Sequence, residues 1–342
     1  ASAYVSVGYL AHTSYDQIGS SLKYGGLVFV GVIVVFVTII HFAKKRRLCS
    51  NSLVNTVFKK IVIVGKYMNK SALQLMRKDL FDLAHHLASQ HYQVLIEKNT
   101  AHHAGLTEYP VVGLDDIDDA IDLAIVMGGD GTMLSVARRL AKAHVPLIGI
   151  NRGRFGFLTD VRAEDMLVQI DRILAGDYIQ ESRMLLSAEV TRQNKVVFSS
   201  CALNDVVIKS GVRLIELEVN IDGKFVYKQR SDGLIVSTPT GTTAYALSAG
   251  GPILHANLEA ISLVPISPHT LSNRPIAVSS SSQIEVVLVQ FDEAQLSCDG
   301  QSQVELQVGD KINILRAEDA ISLLHPSDYC YFDRLRNKLN WS

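Results

Sequence analysis

The chain lacks the features that would commit it to a secreted, polynucleotide-binding or metal-built class. Its four cysteines, Cys49, Cys201, Cys298 and Cys330, are scattered and form no Cys-x-x-Cys pair, which argues against a disulfide framework and a cysteine-held zinc ion and fits a reducing compartment. Neither sign of charge is in excess: 33 basic against 34 acidic side chains leave a formal net charge of −1. No global field therefore recruits nucleic acid, and an anionic ligand must be held by local geometry. The histidine pairs His85-His86 and His102-His103 lack a metal-ligand spacing such as His-Glu-x-x-His, so they are read as surface or helix-face residues. No internal repeat is evident. What the chain does have is length, since 342 residues allow two domains with a core in each.

Residues 24–43 carry no formal charge and are dominated by Val, Ile, Phe and Leu. As a helix they would span about 30 Å, enough to cross a bilayer. Lys44-Lys45-Arg46-Arg47 follows at once, which would place everything after it on the cytoplasmic side, with an inner-membrane anchor at the N-terminus. A cleaved signal peptide fits poorly, because the basic cluster comes after the apolar stretch. Two readings stay open for residues 1–57: a membrane anchor contacting the bilayer through 24–43, or an extension outside the folded enzyme.

From Lys59 the pattern alternates between strand and helix. Ile61-Val62-Ile63-Val64, closed by Gly65, reads as a buried strand. Leu73, Met76, Leu80, Leu83 and Leu87 recur at three- and four-residue steps, one apolar stripe on a helix ending near Ser89. Strands are expected at 93–97, 123–127 and 146–150, with a helix from about Thr132 through about Ala143. The acidic segment at 115–119 reads as a solvated helix start and not as a metal site. Such a series implies a parallel sheet, whose ligands bind beyond the carboxyl ends of the strands.

After about Ile179 the period shifts toward two, with strands expected at 186–191, 196–200, 205–208, 214–221, 224–229, 233–237, 283–289 and 311–315. Asp222-Gly223 is a hairpin signal and Gly309-Asp310 another turn. One helix, about 242–249, interrupts this mainly β region, stopped by Gly250-Gly251-Pro252. The expected fold is therefore an αβ nucleotide-binding domain, Rossmann-like, over 58–160, then a mainly β domain over 161–320 and a tail over 321–342.

Three polar clusters carry the chemistry. Gly128-Gly129-Asp130-Gly131-Thr132 sits where a strand gives way to a helix; bare glycine backbone lets amides converge on anionic oxygens, and the helix adds its positive end. Asp-Gly after a strand is also an ordinary turn. Thr238-Pro239-Thr240-Gly241-Thr242-Thr243-Ala244-Tyr245 places hydroxyls, backbone donors and an aromatic ring at a second helix start, suited to phosphate and to stacking; a threonine N-cap would explain only one or two of them. Asn204-Asp205 sets an amide beside a carboxylate, suited to ribose hydroxyls or a base edge.

In this order the clusters closely resemble the NAD kinase family, which transfers the γ-phosphoryl of ATP to the 2′-hydroxyl on the adenosine ribose of NAD. The resemblance covers roughly Lys59 to Trp341 and extends to Gly149-Ile150-Asn151-Arg152-Gly153, Phe155-Gly156-Phe157-Leu158, Arg230-Ser231-Asp232-Gly233, Ser248-Ala249-Gly250-Gly251-Pro252-Ile253 and Pro268-His269-Thr270-Leu271. With the tail His325-Pro326-Ser327-Asp328-Tyr329 the chain looks most like the proteobacterial branch. It departs from the pattern in its first 57 residues and in Phe155, where Leu is more usual.

The resemblance implies an αβ domain followed by a β-sandwich-like domain, with the C-terminus returning to the first, in a homo-oligomer. It implies Asp130 as the acid beside the reacting hydroxyl, Gly128, Gly129, Gly131 and Thr132 cradling ATP phosphates, and Phe157 as an aromatic wall, with Asn151 in the neighbouring strand-end motif. Asn204 and Asp205 would meet NAD ribose and base atoms, Asp232 the nicotinamide-side ribose, and Thr243, Ala244, Tyr245 and Ser248 the rest of the dinucleotide. A basic residue at the position of Arg230 is associated with preferring NAD to NADH. Mg²⁺ would be held chiefly by phosphate oxygens and water, with no protein metal site. Two alternatives stand beside this reading: a lipid kinase of the diacylglycerol or sphingosine type, which shares the Gly-Gly-Asp-Gly loop, and a membrane-tethered NAD-binding sensor without catalysis.

Overall fold

The computed structural model describes residues 58–65, 70–153, 156–211, 213–269 and 272–341. The segment 1–57, with its apolar stretch 24–43 and Cys49, lies outside the described residues, as do Phe155, Thr270 and Leu271.

The first strand, β1 (Lys60–Gly65), shows how the αβ part is built. Its side chains alternate between faces, so Ile61 and Ile63 pack with Leu80, Leu83 and Leu87 of α1 (Lys70–Ser89), while Val62 and Val64 pack with Met133, Leu134, Ala137 and Leu140 of α3 (Asp130–Leu140). A strand buried on both faces must be apolar at every position, which is the sequence pattern seen. Around it lie β2 (Gln93–Glu97), the short helix α2 (Lys98–Ala104), β3 (Val111–Val112), β4 (Leu123–Met127), β5 (Leu147–Asn151) and β6 (Val161–Arg162). The parallel order is β3-β2-β1-β4-β5, with β6 beside β5. The acidic segment forms only a 3-10 turn, Leu114–Asp116, and its aspartates are exposed.

Beyond α4 (Met166–Leu174) the chain becomes β-rich: β7 (Tyr178–Arg192), β8 (Lys195–Ala202), β9 (Asp205–Ser210), β10 (Ile215–Ile221), β11 (Lys224–Ser231) and β12 (Gly233–Ser237). After the 3-10 turn Thr240–Thr243 and the single-turn α5 (Tyr245–Ser248) come β13 (Ala260–Ile266), β14 (Ile276–Ser279), β15 (Ile284–Gln290), β16 (Ala294–Cys298), β17 (Ser302–Glu305), β18 (Lys311–Pro326) and α6 (Tyr331–Leu339). A six-stranded antiparallel sheet, β14-β13-β12-β9-β16-β17, faces β7, β10, β15 and the first half of β18. Val206, Ile208, Leu234, Val236, Leu263 and Leu296 on one side meet Leu186, Val190, Leu217, Val219, Val286 and Ile314 on the other, a sandwich core.

Two departures from the sequence expectation concern the long strands and the second helix start. β18 runs 16 residues, pairing with β15 near its start and in parallel with β5 at Leu323↔Leu147 near its end. The αβ sheet and one layer of the sandwich are therefore one continuous twelve-stranded sheet. The helix expected at 242–249 is instead a 3-10 turn followed by one α-turn.

Candidate active site

Strand β4 is fully buried and ends at the glycine turn. The Gly128 amide donates to Ile150 O at 2.8 Å, prolonging the β4–β5 ladder, and the amides of Thr132 and Met133 donate to Gly129 O at 2.9 and 3.2 Å. A Cβ on Gly128 would stand 2.6 Å from Thr132 Oγ1, so the inner side of the turn is closed. A Cβ on Gly129 or Gly131 would meet nothing within 4 Å. The outer side is bare main chain facing open space at a helix N-terminus, the geometry of an anion cradle.

Asp130 opens α3, half-buried. Its carboxylate accepts the amides of Phe157 at 2.8 Å and Leu158 at 3.0 Å. Gly156 lies so close that a Cβ there would run into that carboxylate. A carboxylate offers about four lone-pair positions, and two amides leave room for a further donor. Asn151, at the end of β5, is buried and its Oδ1 accepts the Gly153 amide at 2.8 Å, shaping the turn beside the site. Lys338 of α6 stands 5.7 Å above the Phe157 ring.

Asn204, Asp205, Ala244 and Tyr245 come together on a cavity of about 330 Å³, along with Lys209, Ser297, Asp299, Gly300 and Gln303. The turn at Asp299 joins this cavity to the glycine turn. Asp299, side chain fully buried, accepts the amides of Leu203, Asn204 and Asp205 at 2.9, 2.8 and 3.1 Å. Gln301 Nε2 donates to Gly131 O at 2.7 Å, and Arg138 of α3 donates to Gln301 Oε1 and Ser302 Oγ at 2.7 and 2.9 Å. Burial, and next the charge of Asp299, pushes the Asp205 carboxyl up to about 7. Burial also raises Asp299, against the pull of its three amides and Arg138.

The threonine run behaves differently from the expectation. Thr238, Thr240 and Thr242 are buried. Thr238 Oγ1 donates to Leu203 O at 2.6 Å, Thr242 Oγ1 donates to Pro239 O at 2.6 Å and accepts the Leu254 amide at 3.0 Å, and Thr243 Oγ1 donates to Thr240 O at 3.1 Å. These hydroxyls tie the turn to its own backbone and to the Leu203–Asn204 strand start. Ser248 is exposed on α5. Arg230, in β11, and Asp232, just before β12, are exposed; Asp232 stands about 20 Å along β12 from Thr238, and neither lines the cavity.

Arg138, Asp299 and Gln301 are site residues absent from the sequence expectations; Asp299-Gly300 has the same Asp-Gly signature as the hairpin at Asp222-Gly223, which is the signal that marks it. Among the described residues no group of three or more His, Cys, Asp or Glu could hold a metal ion.

Comparison with known proteins identifies the family. The model of the ATP-NAD kinase N-terminal domain matches residues 46–178, and that of the ATP-NAD kinase C-terminal domain matches 203–325. An NAD kinase of Thiobacillus denitrificans is 51% identical over 286 residues, covering 83% of this chain and 97% of the relative. The chain belongs to the NAD kinase family. An NAD kinase of Nitrosomonas eutropha is 47% identical over 290 residues, 84% of this chain and 97% of the relative. Among solved structures, an Archaeoglobus fulgidus NAD kinase in complex with ATP matches with TM-score 0.60 at 26% identity, over 82% of this chain and 98% of that one. Yeast NADH kinase complexed with NADH shares the fold, with TM-score 0.76 at 24% identity over 84% of this chain and 89% of that one. Among the described residues no helix is long and apolar enough to cross a membrane.

Proposed function

We infer that this chain is an enzyme that phosphorylates NAD to NADP, taking the terminal phosphoryl of ATP and placing it on the 2′-hydroxyl of the adenosine ribose. The observation that carries the reading is the Asp130 carboxylate, set at an open glycine turn that is tied by Gln301 to the Asp299-Gly300 turn lining the cavity of Asn204 and Asp205. Phosphoryl transfer asks a protein mainly for in-line positioning and for donors where charge grows. The amides of Gly129, Asp130 and Gly131 face the donor phosphates, with Thr132 closing the inner side of the turn, and Asp130 accepts or orients the ribose hydroxyl proton. Phe157 walls the site, while Asn204, Asp205, Ala244 and Tyr245 line the dinucleotide cavity with Thr243 behind them. Asp232 serves the nicotinamide-side ribose, Arg230 the preference for NAD over NADH, and Ser248 the dinucleotide.

The glycine turn offers main-chain amides, which bind phosphate oxygens and not cations, beside a single carboxylate, so Mg²⁺ would enter on the triphosphate as part of the substrate. That ion neutralises phosphate charge during transfer. Family resemblance points to a homo-oligomer, which light scattering would count. The lipid-kinase reading draws no support from the relatives.

The test incubates the full chain with ATP and NAD in one arm, read by a coupled assay for NADP, and with ATP and diacylglycerol in the other, read as phosphorylated lipid. Asp130→Asn, with its fold checked by circular dichroism, is expected to lower kcat by about 10²–10⁴-fold. Near-normal turnover of that variant would remove the proposed role, and product only in the lipid arm would overturn the function.

A further inference from the structure

The loop that holds Asp130 is itself held by the C-terminal helix. Residues 156–160 form no helix or strand, yet two amides in the middle of this loop, those of Phe157 and Leu158, aim the Asp130 carboxylate. Irregular backbone keeps such a position only when something outside fixes it.

That fixture is Arg334 of α6. Its Nη1 donates to Gly156 O at 3.2 Å and to Thr159 O at 3.3 Å, and its Nη2 pairs with Asp160. The two side chains of that pair are 10% and 6% exposed. Asp160 is braced from behind by Nδ1 of His325, whose ring stacks on Tyr329 with centroids 4.1 Å apart. One guanidinium therefore grips both ends of a five-residue segment whose middle presents the two amides. Reaching two carbonyls and a carboxylate at once uses the planar fork of arginine; an ammonium cannot span them. Burial pushes Arg334 down to about 10, with the Asp130 charge working the other way, so the guanidinium stays cationic at neutral pH.

We propose that Arg334 is a positioning residue for the transfer step: through the 156–160 loop it sets the direction of the Asp130 carboxylate, which makes the C-terminal helix part of the active site. The proposal rests on the function inferred above.

The test uses the full chain with Arg334→Lys, which keeps a charge beside Asp160, and Arg334→Ala. Both are expected to lower kcat by about 10–100-fold, the scale of a misplaced reacting group, while KM for NAD and for ATP moves less than about threefold. In an Asp130→Asn background the same substitutions are expected to change kcat by less than about threefold, because the group they position is gone. Losses that multiply across the two sites, or that fall on KM with kcat intact, would overturn the proposal. So would a Lys variant that unfolds below the assay temperature, since that would assign Arg334 to folding alone. Absence of NADP formation by the unmodified chain would instead strike the function itself.

Discussion

Two turns in this molecule are rich in the same small polar residues, and they do opposite things. At Gly128–Thr132 the backbone is bare on its outer side and no neighbour comes within 4 Å of where a side chain at Gly129 or Gly131 would begin. At Thr238–Thr243 the hydroxyls are turned inward onto carbonyls and an amide of the surrounding loops. The first turn leaves donors for a ligand; the second uses its donors to hold the strand start that carries Asn204 and Asp205. Density of polar residues thus locates a site only when the partners of each donor have been accounted for.

The strongest way to break that contrast is to fill each turn. Gly156→Ala puts a methyl where the Asp130 carboxylate now lies, and displacing that group is expected to cost about 100-fold or more in kcat, read by the NADP assay. Gly131→Ala meets no protein atom. It is expected to leave the fold intact, to raise stability by about 0.5–1 kcal/mol through helix propensity, and to raise KM for ATP about tenfold if phosphate occupies that space. A Gly131→Ala enzyme with unchanged KM would show that the cradle lies elsewhere.

The threonine turn should answer in stability first. Thr242→Val keeps the shape of the side chain but leaves the Leu254 amide without its acceptor. An unfolding free energy lower by about 1–3 kcal/mol is expected, with kcat within a few-fold of the unmodified enzyme. A large loss of kcat without loss of stability would return Thr242 to the ligand-facing group.

The difference between the turns also explains which elements are legible in the amino-acid sequence. The αβ strands are legible because burial on both faces demands uninterrupted apolar runs, and Gly128–Thr132 because glycine is costly wherever close approach is not needed. β13 is hidden because Pro265 interrupts its pattern; that proline pairs with Leu234 of β12 nonetheless. β14, β16 and β17 are four or five residues long and partly polar, too short for a period to emerge. The latter half of β18 passes from sandwich to αβ sheet, and its partners lie in β7 and β5, far away along the chain. Arg334 and Asp299 act through contacts 94 to 178 residues distant; the Asp299-Gly300 pair marks a turn locally, but no local pattern encodes those contacts.

The smallest expected effect concerns charge. Asp205 is buried in the cavity wall and its carboxyl is pushed up to about 7, by burial and then by Asp299. A folded-state value above the unfolded one, about 3.9, means the folded chain keeps a proton that the unfolded chain releases. The associated stability is complete below about pH 4 and is lost as pH rises toward 7, so the ligand-free enzyme should melt at lower temperature across that window. Asp205→Asn cannot titrate and should remove its share of the slope, leaving the part due to Asp299. Melting curves between pH 4 and 8 decide it: a slope that survives the substitution unchanged would mean that Asp205 is ionised in the folded chain, and that its cavity is as wet as the open turn around Asp130.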